Sequence, residues 1–544
     1  MNSLREKKVI NSALWAAAGD AIGWISELTD ENGLKRRIGT NHLLKPVSWQ
    51  RKIGGYSGVT VNLPAGTYSD DTQLRLAVSR SIRSNGEFDA ESFAKIELPV
   101  WLSYALGAGR ATKLAATNLM RKDTNWFSNF YKNNSSEYTQ SGGNGTAMRI
   151  QPHVWCSRQL SERLYIPSVI KDSLTTHGHL LSVCGAILHA DALQYSLLND
   201  KPASPVELDK FIDKFLLIPD IINSIYELKN FWLPNWEDIS ETELTIEIKR
   251  IHAESKALLS NALESASIYI DPIEKYKSAI ATLECDKDSR RGTATNTVIA
   301  SSLLCYFFKN STPYEAITAC VNHLGTDTDS IASMAGAILG CYSDMPQWDI
   351  QDSKYIINEA KRLNSIAEGG ETINFNYPNI NKWLPPQTQG ESLVKDNDGI
   401  YHIVGLGKID FLNTEAWKTK THSWQWVQFD FGQSILVKNK LGEAKVAETY
   451  LLRDNKQSHL KITPLPIQKN NQTPYLPKQE SFDYNYTPTH ELDIDVITTN
   501  VIKNGFNEQE IGRYFIELAD KKGLESIISF AAIIGKAFIS RKKR

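Results

Sequence analysis

The fold of this chain is predicted first from the stretch "NHLGTDTDSIASMAGAILG", residues 322–340. Its second half consists of Ala, Gly, Ser and aliphatic residues, and "HLLSVCGAILHADAL" at 179–193 has the same character. Small side chains at this density let helix backbones approach one another closely. The two stretches therefore predict the centre of a compact, mostly helical domain.

Acidic residues stand at the start of the predicted helix. Asp327 and Asp329 alternate with hydroxyl residues there, and "GTYSDDTQLRLAVSRSI" (66–82) places Asp70 beside Asp71 in a similar glycine-led turn. Acids are favoured in the first turn of any helix, so capping explains each pair locally. The alternative is metal binding, because carboxylates with hydroxyls form the hard oxygen set that Mg²⁺ or Mn²⁺ prefers. If the two clusters face each other, they could hold two ions.

Three further segments carry polar groups near predicted helix ends. "GDAIGWISE" (19–27) ends in Glu27, which could reach into a cleft. "SGGNGTAMR" (141–149) surrounds one Asn with glycines, whose backbone N–H groups can approach a phosphate. "THGHLLSVCGA" (175–185) places histidines at a helix start. Each also has a structural interpretation, as a helix end, a turn or a cap.

Composition narrows the class of protein. The chain of 544 residues is 41% hydrophobic and 22% charged with a net charge of −2, which is typical of a globular protein and gives no overall basic footprint for nucleic acid. Its six cysteines form no CxxC pair, which favours free thiols in a reducing compartment. The first residues lack the apolar run of a signal peptide. We therefore expect a cytoplasmic protein without a membrane segment.

The character of the sequence changes near residue 368. An Asn-, Pro- and Gly-rich stretch is followed by β-branched and aromatic residues in alternation, and the last 40 residues return to helical spacing. These changes predict a helical domain at 1–365, a linker at 366–392 and a smaller α+β accessory domain at 393–544.

Taken together and in order, the quoted blocks between about residues 10 and 345 resemble the ADP-ribosylglycohydrolase family. The resemblance implies an all-α orthogonal helical bundle with a binuclear Mg²⁺ or Mn²⁺ centre. It also implies hydrolysis of the glycosidic bond at the distal ribose C1 of an ADP-ribosylated protein, nucleic acid or small molecule, with release of ADP-ribose. The implied catalytic residue is Glu27; the metal ligands are Ser69, Asp70, Asp71, Asp327, Asp329 and Ser330; the substrate-binding residues are Ser141, Gly143, Asn144, Gly145 and His177.

The chain departs from the family at Ser69 and Ser330, where threonine is usual. Serine keeps the hydroxyl oxygen but not the methyl group that restricts the rotamer, so metal affinity could differ. This departure is the sequence support for one alternative, a catalytically weak sensor of ADP-ribose or a nucleotide. Another dinuclear-metal hydrolase, such as a phosphoesterase, is a further alternative.

The accessory domain lies outside the resemblance. Its Trp417, Trp424 and Trp426 fit the core or face of a sheet, and the alternative is a recognition surface for the modified target or a protein partner.

Overall fold

The chain forms two compact units, one within residues 1–460 and one within 461–544. The computed structural model describes residues 3–55, 57–412, 416–448, 452 and 493–542. The first unit contains helices and a sheet, and the second contains helices. The predicted fold class, a helical bundle followed by a region of strands and helices, is confirmed.

Helices make up most of the first unit. The α-helices are Leu4–Ser26 (α1), Glu31–Ile38 (α2), Asp70–Arg80 (α3), Ala90–Ser92 (α4), Leu98–Trp101 (α5), Arg110–Leu119 (α6), Gln151–Trp155 (α7), Ile166–Thr176 (α8), Leu180–Asn199 (α9), Pro205–Asp213 (α10), Ile218–Ser224 (α11), Leu233–Ser240 (α12), Leu244–Ser267 (α13), Pro272–Thr282 (α14), Ala294–Phe307 (α15), Pro313–Val321 (α16), Thr328–Leu339 (α17) and Ser353–Glu368 (α18). Short 3₁₀ or π-helical turns occupy Phe93–Glu97, Tyr138–Gln140, Ala147–Arg149, Leu160–Glu162, Lys214–Leu217, Leu228–Trp232 and Gly340–Tyr342.

The antiparallel pair α1 and α17 forms the centre of this unit. A Cβ atom on Gly19 would lie 2.2 Å from the carbonyl oxygen of Ala332, and one on Gly336 would lie 2.2 Å from that of Trp15. Only glycine permits backbones to pack this closely, so the predicted close approach of small-residue helices is confirmed. The packing brings the C-terminal end of α1 beside the N-terminal end of α17.

Helix α9 also lies in the core. It is the helix, among the residues that the structure describes, that is long and apolar enough to cross a membrane, and 94% of its most apolar window is buried inside the protein. The same length and composition suit the central helix of a globular core. All six cysteines are buried and free.

A seven-stranded sheet follows the helices in the first unit. Its strands are Leu393–Lys395 (β3), Tyr401–Ile403 (β4), Gly407–Phe411 (β5), Trp417–Lys418 (β6), His422–Phe429 (β7), Ser434–Lys440 (β8) and Lys445–Val446 (β9). The order is β6-β7-β5-β4-β3-β9, with β8 also paired to β7 and a parallel pair only between β3 and β9 among the described strands. Predicted strands in this region are confirmed, and Trp424 and Trp426 are buried in it.

A hairpin within the helical region was not predicted. Its antiparallel strands are Trp49–Ile53 (β1) and Val59–Leu63 (β2). The turn between them contains Gly54 and Gly55, both with positive φ. A hairpin of this length needs tertiary support to be stable, and that support is invisible in local sequence.

The sheet is joined to the helices by buried polar contacts. The backbone N–H of Lys438 donates to the carbonyl oxygen of Ser103 at 2.8 Å. The Arg80 guanidinium donates to Gln433 Oε1 at 2.6 Å while also pairing with Glu97. Residues 393–448 thus belong to the same compact unit as the helices. The linker and domain bounds predicted from composition stay a prediction.

The second unit is a small helical cluster. It contains Ile494–Lys503 (α19), Glu508–Lys521 (α20) and Leu524–Lys542 (α21). Its apolar core consists of Ile497, Val501, Leu518, Phe530 and Ile534. Helices α20 and α21 match the spacing predicted for the final 40 residues, and α19 precedes that region.

Candidate active site

The first acidic block, residues 69–71, lies at the start of helix α3 and is held in place by a buried carboxylate. Ser69 is the N-cap, and its hydroxyl accepts from the Asp71 N–H at 3.3 Å. The Asp20 carboxylate accepts from the N–H groups of Ser69 and Thr72, both at 2.9 Å, and from the Thr72 hydroxyl at 2.6 Å. Asp20 therefore anchors the block, a role that its position inside a helix does not reveal.

The second acidic block, residues 327–330, lies against the C-terminal end of α1. One carboxylate oxygen from each of Glu27, Asp327 and Asp329 lies within 4.8 Å of the others. The close packing of α1 on α17 produces this cluster, since Glu27 caps α1 and Asp327 caps α17. Ser330 Oγ lies 3.5 Å from Asp71 Oδ1, which joins the two blocks. The structure thus brings the predicted acidic residues into one site.

The site concentrates negative charge away from water. Burial, and then repulsion between neighbouring carboxylates, raise the pKa values of Asp70, Asp71 and Asp329 well above their usual range. Asp71 Oδ2 is buried and has no hydrogen-bond partner among the described residues. A buried carboxylate oxygen without a donor is costly unless a cation binds it.

A hard divalent cation fits this donor set. The two acidic blocks offer carboxylate and hydroxyl oxygens. The cluster of Glu27, Asp327 and Asp329 contains no His or Cys. Such a set suits Mg²⁺ or Mn²⁺ rather than Zn²⁺. Cation binding would relieve the repulsion that raises the pKa values of these carboxyl groups.

Glu27 is held by a residue that sequence reasoning missed. Arg51 in β1 donates from Nη2 to Glu27 Oε2 at 3.1 Å. The guanidinium carbon lies 4.8 Å from the ring centroid of Trp24 and 5.6 Å from that of Trp49. Burial raises the pKa of Glu27, and Arg51 offsets part of this rise. No local motif marks Arg51, because its contact depends on how the unpredicted hairpin packs.

The glycine-rich loop borders the second acidic block through Asn144. Asn144 Nδ2 donates to Asp327 Oδ2 at 2.9 Å, and its backbone N–H donates to the Gly292 carbonyl at 2.8 Å. A Cβ on Gly145 would lie 3.1 Å from His177 Cε1. Burial, together with Arg149, lowers the pKa of His177 to about 3, so its imidazole is neutral.

The other two loop residues make contacts within the protein. The Ser141 hydroxyl donates to the Glu137 carbonyl at 2.7 Å and accepts from the Tyr131 hydroxyl at 2.9 Å. The Gly143 carbonyl accepts from Ser182 Oγ at 2.8 Å. These bonds hold the loop in place, and the substrate contact predicted for Ser141 stays a prediction.

Buried carboxylates at two helix starts, beside a rigid glycine-rich loop, are typical of a metal-dependent hydrolase. The sequence model of the ADP-ribosylglycohydrolase family matches residues 1–368, more than half of the chain. The protein therefore belongs to the ADP-ribosylglycohydrolase family, and the predicted resemblance is confirmed.

Two relatives show how distant the similarity is. The chain is 25% identical over 177 residues to an ADP-ribosyl-[dinitrogen reductase] glycohydrolase of Rhodospirillum rubrum, covering 32% of this chain and 53% of that protein. It is 26% identical over 289 residues to ADP-ribosylhydrolase ARH3 of Xenopus tropicalis, covering 51% of this chain and 73% of that protein. The match thus spans about half the length of the R. rubrum relative.

One solved structure is also similar. It is described as an ADP-ribosylglycohydrolase-related protein complex, with 16% identity, a TM-score of 0.42, and coverage of 67% of this chain and 100% of that chain.

Proposed function

We propose that this protein is a metal-dependent hydrolase that cleaves the glycosidic bond at the distal ribose C1 of an ADP-ribosylated substrate and releases ADP-ribose. The observation that carries the proposal is the convergence of Glu27 with Asp327 and Asp329, within 4.8 Å, at the N-terminal end of α17. Membership of the ADP-ribosylglycohydrolase family supports the substrate class. The substrate is an ADP-ribosylated protein, nucleic acid or small molecule.

The residues that would hold the ions are those of the two acidic blocks. Their hydroxyl and carboxylate oxygens come from Ser69, Asp70, Asp71, Asp327, Asp329 and Ser330. Two Mg²⁺ or Mn²⁺ ions would neutralise these carboxylates, polarise ribose hydroxyls and lower the pKa of water.

In the proposed reaction, Glu27 carries out the proton transfers. Cleavage at the ribose C1 passes through an oxocarbenium-like state, which the surrounding carboxylates stabilise. Burial raises the pKa of Glu27, so a proton held on its carboxyl group can pass to the departing atom. The resulting carboxylate then takes a proton from the attacking water. The ion pair with Arg51, at 3.1 Å, would hold the Glu27 side chain in place for both transfers.

The loop of Gly143, Asn144 and Gly145 contributes binding rather than proton transfer. Glycines let backbone N–H groups approach a diphosphate, and the bond from Asn144 to Asp327 sets the loop against the acidic cluster. The neutral imidazole of His177 lies against the loop without adding charge.

The test is release of free ADP-ribose from arginine-, serine- and nucleic-acid-linked substrates, each with Mg²⁺, Mn²⁺ or EDTA. Asp327→Ala is compared with Asp344→Ala, whose side chain is 90% exposed and pairs with Lys7 at 3.0 Å. We expect metal-dependent release that the first variant abolishes and the control retains. Absence of release from every substrate, with ADP-ribose binding intact in calorimetry, would refute turnover and favour a sensor.

A further inference from the structure

A cavity borders the loop that leads into the first acidic block. It measures about 480 Å³ and is formed where that loop, the segment between α17 and α18, and the sheet meet. The loop contributes Pro64, Ala65 and Thr67, and the sheet contributes Trp426 and Ser434. The volume is within the range of small-molecule sites.

The lining defines which molecules the cavity suits. Two tryptophans, Trp348 and Trp426, stand among aliphatic residues, and Thr67, Ser353 and Gln351 supply scattered polar groups. The described lining contains no Lys, Arg or His and one carboxylate, Asp349, so a phosphate would find a like charge and no cationic partner. Aromatic and aliphatic walls with few polar groups favour an uncharged, flat ring system.

Two lining residues each hold an unsatisfied polar atom. The indole N–H of Trp426 and the side-chain carbonyl oxygen of Gln351 are buried without a hydrogen-bond partner among the described residues. One is a donor and the other is an acceptor. Both residues line the cavity, and a ring edge that carries an acceptor and a donor would complement the two groups. Such an edge would remove the desolvation cost of both atoms.

The cavity wall is bonded to the first acidic block. The Gln351 N–H donates to the Gly66 carbonyl at 3.0 Å, and a Cβ on Gly66 would lie 2.3 Å from the Asp349 carbonyl oxygen. Tyr68, next to Ser69, donates its hydroxyl to Asp352 Oδ2 at 2.7 Å.

The same carboxylate reaches the sheet. Asp352 Oδ2 also accepts from the Ser434 N–H at 2.8 Å, and Gln351 Nε2 donates to the Ser434 carbonyl at 2.9 Å. A molecule seated between the sheet and residues 64–67 would therefore restrain the loop that leads into Ser69 and Asp70.

We propose that this cavity is an effector site for a neutral heteroaromatic molecule of one or two rings with a donor–acceptor edge, the chemistry of free nucleobases and aromatic amides. Occupancy stiffens the segment 64–71 from the side opposite the acidic cluster. The site is separate from the proposed active site, and its existence does not depend on the proposed reaction.

The test is calorimetric titration of the full chain with adenine, nicotinamide and AMP, each with and without saturating ADP-ribose. We expect adenine or nicotinamide to bind in both conditions. When ADP-ribose is present, AMP should bind at least tenfold more weakly than the neutral ring that binds. Ala65→Trp places an indole ring in the cavity and should abolish this binding, while Ala65→Ser leaves the space open and should retain it. No binding of either neutral ring, or equal binding by both Ala65 variants, would overturn the site.

Hydrogen exchange measures the link to the acidic block. With the neutral ring bound, amides in 64–71 should exchange severalfold more slowly than in the free protein, and the Ala65→Trp variant should show no ligand effect. Binding without altered exchange would refute the proposed effect on the acidic block, while the binding site itself would still be supported. If the hydrolase assay fails while these results hold, only the proposed reaction is refuted.

Discussion

The crowding of carboxylates gives a quantitative prediction for Asp329→Asn. Because burial and neighbouring charges raise the pKa of Asp329 in the folded state, its ionised form opposes folding when no metal is bound. Asn has nearly the same shape and keeps an oxygen for the Ser330 N–H, which now donates to Asp329 Oδ1 at 2.9 Å. The variant should therefore be more stable than the parent protein in EDTA.

The size of the gain follows from the geometry. Oxygen atoms of Glu27 and Asp327 lie within 4.8 Å of one from Asp329. Unit charges at that separation repel by about 3 kcal/mol if the effective dielectric constant is roughly 20. Asp329 can instead keep its proton in the folded state. At about pH 8 this costs roughly 5 kcal/mol for a group with an unfolded pKa near 4, so the destabilisation by Asp329 cannot exceed that value. Since Arg51 partly compensates Glu27, we expect a gain of about 3 kcal/mol.

The gain should depend on pH in one direction. A carboxyl group with a raised folded-state pKa contributes fully below its unfolded pKa, and this contribution is lost as pH rises through the folded-state value. Asn does not titrate, so the advantage of the variant should be near zero at about pH 4 and largest at about pH 8. Calorimetric unfolding in EDTA across this range should show a rise in Tm on the order of 5 °C at the alkaline end.

Metal addition should remove the difference in stability between Asp329→Asn and the parent protein. Mn²⁺ should stabilise the parent protein by about 3 kcal/mol at roughly 100 times its Kd and should have little effect on Asp329→Asn. Asp344→Asn, at a 90% exposed side chain, is the matched control and should unfold like the parent protein. A variant less stable than the parent in EDTA at about pH 8, or a difference that does not change with pH, would refute the electrostatic reasoning.

Three further substitutions test other contacts. Arg51→Gln removes the 3.1 Å pair with Glu27 and should lower kcat about 10- to 100-fold with KM little changed, measured by steady-state release of ADP-ribose. Asp172→Asn leaves the buried Arg149 unpaired and should cost about 3–5 kcal/mol in urea unfolding at neutral pH. Although burial disfavours its charge, Arg149 holds the pKa of Asp172 below its usual value, so this loss should shrink as pH falls through that lowered pKa. Gly336→Ala places a Cβ 2.2 Å from the Trp15 carbonyl oxygen and should lower stability by about 2 kcal/mol or more in the same assay.

Each of these has a contradicting result. A rise in KM alone for Arg51→Gln would show that the residue binds substrate instead of positioning Glu27. Equal loss for Asp172→Asn at acidic and neutral pH would exclude its charge as the cause. The control for Gly336→Ala is Gly535→Ala in α21, where a Cβ meets nothing within 4 Å and should be neutral or stabilising. Similar effects of both alanines would show that the contact between α1 and α17 tolerates separation.

Sequence patterns predicted the elements whose physics is local. Helical spacing and small residues predicted the packed helices, and alternating aromatic residues predicted β7 and β8. Acids with hydroxyls after glycine predicted both acidic blocks, because each block is a short turn whose donor atoms come from adjacent residues. Their roles as metal ligands stay a prediction, although the structure brings them together.

Other parts of the site could not be predicted from local patterns. Asp20 sits within a helix, yet its carboxylate accepts three hydrogen bonds from the start of α3. Arg51 belongs to a hairpin whose stability depends on its surroundings, and it meets Glu27 only once that hairpin is packed. Ser141 matches the expected loop, but its hydroxyl is engaged by Tyr131 and Glu137.

Local residue patterns were enough to predict the helical class, the two acidic blocks and the glycine-rich loop, since each depends on residues close together in the chain. The proximity of Glu27 to Asp327 and Asp329 depends on tertiary structure. It requires the backbones of α1 and α17 to pack as closely as only glycine permits. Tertiary structure also decided that the sheet closes a cavity bordering the loop that leads into the first block. Contacts across hundreds of residues arise from the shape of the packed chain, and no short pattern encodes that shape.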